Sequence, residues 1–108
     1  MPKTRQKIKE VVQRYKQSLA KLGIHVERVI LYGSYANGRP REDSDIDLIV
    51  VSEDFKNLNL RERLEVLGVA AVRIMQPIEA QGYTLREIKR PSPLSFLADI
   101  LTTGITMN

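Results

Sequence analysis

The sequence predicts a small α/β domain in which a short mixed β-sheet is covered by α-helices. Two observations predict this fold class. Segments with apolar residues at helical spacing alternate along the chain with short apolar runs of strand length. The chain has 108 residues, enough for one hydrophobic core, and shows no repeat, low-complexity tract or linker that would divide it. We therefore expect residues 1–108 to form a single domain.

The first predicted element is an amphipathic helix over residues 3–22, ended by Gly23. Residues 1–22 contain seven Lys or Arg and one Glu, a local charge of +6 against +4 for the whole chain. Such a basic segment can bind nucleic acid. Its apolar residues instead favour a helix that packs on the core and exposes its charges, so we do not expect a nucleic-acid partner. The apolar stripe comprises Ile8, Val11, Val12, Tyr15, Leu19 and Leu22.

Two apolar runs, residues 26–32 and 45–51, are predicted to be strands of the sheet. A Gly-Ser turn follows the first run, and Ser34 is expected to cap a short helical turn that extends to Gly38. A charged loop over residues 39–44 then leads into the second run. The turn and the loop are therefore expected to join two strands at one end of the sheet.

In the second half of the chain we predict two further long helices and, between them, a third strand that is followed by a short helix. A helix is expected over residues 60–74 and a strand over residues 78–83, which Pro77 precedes. Thr84-Leu85-Arg86-Glu87 fits a capping box and opens the short helix. The last helix is expected over residues 94–103, closed by Gly104. The helix over residues 60–74 is expected to place Leu60, Leu64, Leu67 and Ala71 on one face.

Asp45 and Asp47 lie two residues apart on the second predicted strand. Side chains at this spacing point to the same face, while Ile46 and Leu48 point into the core. Two carboxylates on one face repel each other unless a cation lies between them. Oxygen ligands favour Mg²⁺. Each Asp taken alone is also compatible with an ordinary surface position, although a carboxylate within so apolar a strand is costly to bury without a partner.

Gly33 and Ser34 offer a phosphate group backbone N–H donors, a hydroxyl and a backbone without a Cβ. A phosphate cradle beside metal-binding carboxylates indicates Mg²⁺-assisted phosphoryl or nucleotidyl transfer. An ordinary loop is the competing interpretation, since these are common turn residues. A P-loop is excluded because Arg39-Pro40 follows Gly38 where Lys-Ser/Thr is required.

The segment Gly33-Ser34-x-Ala36-x-Gly38, followed by Ser44-Asp45-Ile46-Asp47-Leu48, resembles the signature of the nucleotidyltransferase superfamily related to DNA polymerase β. The short chain is similar to the minimal nucleotidyltransferase (MNT) group of this superfamily. The resemblance is tight over residues 29–51 and weaker from Leu60 onward. It implies a polymerase β-like palm core that transfers NMP, most simply AMP from ATP.

The resemblance also implies roles for individual residues. Asp45 and Asp47 are expected to hold two Mg²⁺ ions, and Gly33, Ser34 and Arg39 are expected to bind the triphosphate. Superfamily members carry a further carboxylate on a strand beside the Asp-x-Asp strand. Glu79 is the only acid in residues 78–83, so it is the candidate for a third metal ligand and general base.

Two positions depart from the family pattern. Asp is the more usual third acid in small members, and Glu79 is longer by one methylene. Small relatives often carry Arg where this chain has Asn37, so one triphosphate contact is missing unless Arg39 or Arg41 replaces it. Both arginines are equally compatible with a solvated loop. These departures bear on how active the site is.

MNT proteins are commonly paired with a small helical HEPN-domain protein in toxin–antitoxin modules. The resemblance therefore implies an antitoxin that can adenylylate a tyrosine of its toxin. Two alternatives stay open: a partner-neutralising or nucleotide-binding module with little catalysis, and a transferase for a small molecule such as an aminoglycoside. A neighbouring gene for a helical protein with an Arg-x4-6-His motif would favour the antitoxin. The sequence does not determine the acceptor, the preferred base or the oligomeric state.

Composition excludes several other kinds of site. The chain has no cysteine and one histidine, His25, so neither a disulfide nor a Cys/His zinc site can form. No apolar run approaches the roughly 18 residues of a transmembrane helix, and the polar N-terminus does not resemble a secretory signal. We therefore expect a cytoplasmic protein without a membrane partner.

Overall fold

The computed structural model describes residues 2–40, 44–90 and 95–107. It consists of four α-helices, four β-strands and two short 3₁₀ turns within these residues. In chain order they are α1 (Arg5–Lys21), β1 (Arg28–Tyr32), a 3₁₀ turn (Gly33–Tyr35), β2 (Ile46–Val51), a 3₁₀ turn (Glu53–Asn57), α2 (Leu60–Arg73), β3 (Ile78–Tyr83), α3 (Leu85–Lys89), α4 (Phe96–Thr103) and β4 (Ile105–Thr106).

The four strands form one mixed sheet with the order β3-β2-β1-β4. β1 pairs antiparallel with β2 and with β4, whereas β2 and β3 are parallel. The parallel pair is connected through α2, which packs back onto β3 as crossover helices do. The predicted α/β class with a mixed sheet is therefore confirmed, and β3 and β4 form its two edges.

Both faces of the sheet are covered, and strand residues alternate between them. α1 and α2 pack on one face, where the buried core includes Val29, Leu31, Leu48 and Val50. The opposite face, which we call the α3–α4 face, buries a smaller cluster that comprises Ile30, Ile49, Val51, Ile88, Leu97 and Ile100. Because Asp47 lies between Ile46 and Leu48 of the first face, its side chain belongs to the α3–α4 face.

The predicted stripe of α1 is confirmed. Five of its residues, Ile8, Val11, Val12, Tyr15 and Leu19, are buried, and Leu22 is half-buried. Two buried hydroxyls tie α1 to α2: Tyr15 donates to the carbonyl of Leu67 and Ser18 to that of Ala70. Most of the basic residues of the helix are exposed, as expected for its outer face. No helix of the described residues is long and apolar enough to cross a membrane.

The predicted face of α2 is wrong in its first turns. Leu67 and Ala71 are buried together with Ala70, but Leu60 is 72% and Leu64 47% exposed. The two leucines lie on the flank of the helix beside β3, which is the edge strand of the sheet in the described part of the chain and leaves them uncovered. The capping box at Thr84 is confirmed: its side chain accepts from the N–H of Glu87, whose carboxylate accepts from the N–H of Thr84.

Several boundaries differ from the predicted ones. β1 begins at Arg28 rather than at residue 26, and Ser34 lies inside the 3₁₀ turn instead of capping it, because the turn begins at Gly33. The predicted start of the last helix, Leu94, lies outside the described residues; the described helix begins at Phe96 with Ser95 as its N-cap. The 3₁₀ turn Glu53–Asn57, which buries Phe55, and the two-residue strand β4 were not predicted, since neither is long enough to show a period.

Candidate functional site

The candidate site lies on the α3–α4 face, at the end of β1 and the beginning of β2 and β3. In the strand register Tyr32 lies opposite Asp47, and Asp47 lies beside Glu79. Directly paired residues project to the same face of a sheet. The three side chains therefore form a row across three neighbouring strands, in the order Tyr32, Asp47, Glu79. The strand pairing thus brings together two of the three predicted carboxylates, and Asp45 directly precedes β2.

The glycine of the Gly-Ser turn packs against the carboxylate of Asp47. Gly33 has φ +74°, a conformation that favours glycine, and a Cβ added to it would collide with Oδ2 of Asp47. A side chain at position 33 would therefore strain the backbone and displace the carboxylate of Asp47. The contact joins the two halves of the sequence motif, which are separated by more than ten residues in the chain.

The three acids differ in how far they are buried. Asp47 is half-buried, while Asp45 and Glu79 are exposed. Burial, together with repulsion from Glu79 and Asp45, raises the pKa of Asp47 to about 6. The pKa of Tyr32 is raised to about 12, first by burial and then by the charges of Asp47 and Glu79. The site therefore carries concentrated negative charge that a cation would relieve.

The carboxylate oxygens present fit Mg²⁺, a hard cation bound by oxygen ligands. Asp45 lies close enough to Asp47 for its charge to contribute to the raised pKa of Asp47. Within residues 2–40, 44–90 and 95–107, however, no group of three His, Cys, Asp or Glu side chains is arranged to hold a metal ion. Glu79 shares the face and the row with Asp47 but does not complete such a group, so its role as a third ligand stays a prediction.

The 3₁₀ turn provides the candidate phosphate site. The N–H groups of Ala36 and Asn37 donate to the carbonyl of Gly33, and that of Arg39 donates to the carbonyl of Ser34. The N–H groups that open a helical turn are not used within it, so those of Gly33 and Ser34 can face a ligand. Asn37, Gly38 and Arg39 are exposed beside it. Arg41, the alternative triphosphate contact, lies outside the described residues.

Two side chains next to the site were not assigned to it from the sequence. The rings of Tyr32 and Phe96 meet edge to face, with centroids 5.7 Å apart. Tyr32 precedes the motif glycine, which was a usable signal, whereas nothing in the sequence relates Phe96 of α4 to the motif. Together they line a cavity of about 270 Å³ beside Gly33. A second cavity, of about 640 Å³, lies at the β3 edge and includes Glu79.

Comparison with known proteins shows the family to which the chain belongs. The family model of the nucleotidyltransferase domain matches residues 5–98. Three proteins of Methanocaldococcus jannaschii are similar, among them "Putative protein adenylyltransferase MJ1379", 37% identical over 65 residues, and "Putative protein adenylyltransferase MJ1215", 42% identical over 48 residues. These matches cover 60% and 44% of this chain, and 64% and 55% of the relatives. The matched region thus spans less than two thirds of the length of these relatives.

Two solved structures share the fold. One is described as "Crystal structure of a putative nucleotidyltransferase from Sulfolobus solfataricus", with a TM-score of 0.57 at 19% identity. The superposition covers 98% of this chain and 89% of the Sulfolobus chain. A chain from the crystal structure of a toxin–antitoxin with AMP-PNP has a TM-score of 0.61 at 20% identity, covering 93% and 72%. With the family model matched over most of its length, the chain belongs to the nucleotidyltransferase domain family.

Proposed function

We propose that this chain is a Mg²⁺-dependent nucleotidyltransferase that transfers AMP from ATP to a hydroxyl group of a partner protein. The observation that carries the proposal is the contact of Gly33 with the carboxylate of Asp47. It sets the phosphate-binding turn directly against the charge that would hold the metal. A nucleotidyltransferase needs both at one place, because the metal and the triphosphate are bound together.

Each residue of the candidate site has its own role in the proposed reaction. The turn at Gly33 and Ser34, with Arg39 beside it, would hold the β- and γ-phosphates, while Asp45 and Asp47 would hold Mg²⁺. Bound Mg²⁺ supplies neutralisation of the triphosphate charge and a lower pKa for the attacking hydroxyl. Glu79 would accept the proton of that hydroxyl. The hydroxyl oxygen then bonds to the α-phosphorus in line with the leaving group, the bond from the α-phosphorus to the bridging oxygen breaks, and pyrophosphate leaves with both bonding electrons.

The proposed acceptor is a tyrosine of a small helical HEPN-type toxin, for which this chain acts as the antitoxin in the cytoplasm. Three relatives carry the name of protein adenylyltransferases, and a solved structure with the same fold is described as a toxin–antitoxin with AMP-PNP. These names support an acceptor hydroxyl on a partner protein.

The proposal is tested with a HEPN-type helical protein as the candidate partner and α-labelled ATP. We expect the label to enter the partner, with release of pyrophosphate, only in the presence of Mg²⁺. Asp45→Ala should abolish labelling and leave formation of the complex unchanged. Glu65→Gln is the matched control, because Glu65 is an exposed acid of α2 paired with Arg61, remote from the motif. A complex that forms but never transfers label with any divalent metal would establish the partner-neutralising module instead.

The role of Glu79 needs a test of its own. Glu79→Gln keeps the shape of the side chain and removes its charge, so ATP binding through Asp45 and Asp47 should persist. Transfer should slow by about 100-fold or more, the usual contribution of a general base. Normal transfer by this variant would remove Glu79 from the site and leave a two-carboxylate centre, in keeping with the geometry of the described acids.

A further inference from the structure

We propose that the cavity between the Gly-Ser turn and α4 binds the nucleobase of the triphosphate, with Phe96 as its stacking surface and Asp99 as the acceptor for its exocyclic amine. This inference rests on the proposed function, since it assigns the base of the same nucleotide. The cavity of about 270 Å³ is lined by Tyr32, Gly33, Ala36, Asn37, Phe96, Asp99, Ile100 and Thr103.

The cavity is placed where a bound nucleotide would need it. Gly33 belongs at once to the phosphate turn and to the cavity wall. Tyr32 lies opposite Asp47 in the sheet, and the ring of Phe96 contacts that of Tyr32 with centroids 5.7 Å apart. Phe96 therefore meets the Tyr32 end of the row that Glu79, Asp47 and Tyr32 form. A nucleotide with its phosphates at the turn can reach this end of the row with its base.

The size of the cavity suits a base better than a whole nucleotide. Pockets that enclose drug-sized ligands hold about 300–1,000 Å³, and this one lies just below that range. The ribose and the phosphates would thus lie outside it, along the turn. This division matches the two kinds of lining: two aromatic rings with apolar and polar side chains in the cavity, and backbone N–H donors at the turn.

Phe96 is the residue that favours a stacked ligand. It is 59% exposed although it is the largest apolar side chain of α4, and Tyr32 supports its ring edge to face. That geometry holds the ring in place and leaves a face for a second aromatic plane. Stacking of a base on an aromatic side chain does not require a particular base, because every base has a π-face. Phe96 would therefore provide affinity.

Asp99 would determine which nucleobase the cavity prefers. Asp99 lines the same cavity about one turn after Phe96 in α4, and the Thr103 hydroxyl donates to its backbone carbonyl. A carboxylate only accepts hydrogen bonds. Adenine, guanine and cytosine carry an exocyclic amine that can donate to it, whereas uracil and hypoxanthine do not. The cavity is thus expected to prefer ATP over ITP, which differs from ATP at that amine and the adjacent ring nitrogen.

The test compares Mg²⁺-dependent binding of ATP, ITP, UTP and inorganic tripolyphosphate by calorimetry. We expect wild-type protein to bind ATP more tightly than ITP or UTP. Phe96→Ala should weaken ATP binding by about 5- to 150-fold, the range found for loss of one base stack, and leave tripolyphosphate binding unchanged. Phe96→Leu, which retains an apolar side chain, should weaken ATP binding in the same direction. Asp99→Ala should reduce the ratio of ATP to ITP affinity towards one.

The matched control is Val72→Ala, because Val72 is an apolar residue of α2 with 75% exposure, remote from the cavity. It should bind all four ligands as the wild type does. The base site is refuted if Phe96→Ala weakens the binding of ATP and of tripolyphosphate equally, or if it weakens the binding of neither. Binding of the phosphates at the turn is then unaffected by the result. If the wild-type protein binds neither ATP nor tripolyphosphate in the presence of Mg²⁺, the proposed function is refuted, and the base site is refuted with it.

Discussion

Replacement of Gly33 by alanine tests the contact on which the proposed function depends. At φ +74° an alanine is strained, and its Cβ would occupy the space of Oδ2 of Asp47. The left-handed conformation costs an L-residue about 1–2 kcal/mol. The collision is a separate effect, because it forces the Asp47 carboxylate to rotate away from the turn.

The two effects can be separated by a control with the same strain. Gly23 has φ +89°, and a Cβ added there would find no atom within 4 Å. Gly23→Ala should therefore lower the free energy of unfolding by about 1–2 kcal/mol as well, and the affinity for ATP should not change. Gly33→Ala should lower stability comparably and, in addition, weaken Mg²⁺-dependent ATP binding. We expect the displaced carboxylate to cost as much as the loss of one interaction with a charged group, about 1.5–3 kcal/mol, or roughly 10- to 150-fold in affinity.

The measurements are urea unfolding and calorimetric titration with ATP and Mg²⁺ for both variants. Loss of stability in both with loss of binding in Gly33→Ala alone supports the reasoning. Wild-type ATP affinity in a folded Gly33→Ala protein would refute it, because the turn and the carboxylate would then act independently.

Three further predictions concern single side chains. Asp47→Asn should make the metal-free protein about 1 kcal/mol more stable at about pH 8, after allowance for solvent screening, while it weakens Mg²⁺-dependent ATP binding. Because the folded pKa of Asp47, about 6, lies above its ordinary value of 3.8, this advantage should disappear as the pH falls through that interval, as urea unfolding in EDTA would show. Tyr15→Phe should cost about 1 kcal/mol in urea unfolding, since the carbonyl of Leu67 in α2 loses the Tyr15 hydroxyl, its second donor beside the helical N–H; an unchanged midpoint would contradict the hydrogen bond. Gly82→Ala should destabilise by about 1–3 kcal/mol because its Cβ would lie 2.7 Å from the ring of Phe55, whereas Gly68→Ala, in open space on α2, should stabilise by up to about 1 kcal/mol; equal thermal shifts in the two variants would exclude this packing.

The sequence alone determined the features that depend on local chemistry. The stripe of α1, the alternation of β2 and the capping box at Thr84 follow from side-chain spacing, which neighbouring residues of the chain fully specify. The same holds for the Gly33 turn and the Asp45–Asp47 pair, whose residue types indicate phosphate and metal chemistry by themselves. The roles of these residues remain predictions, as does that of Glu79.

Only the tertiary structure decided which distant residues meet. The parallel register sets Glu79 beside Asp47, the fold of the turn sets Gly33 against the same carboxylate, and the return of the chain through α4 sets Phe96 against Tyr32. The exposure of Leu60 has the same origin, since a helical stripe is buried only where the sheet extends beneath it. The spacing of apolar residues predicts which side of a helix or strand is apolar. It does not predict which distant residues pack against that side, because contacts between distant segments arise from the packing of the whole core.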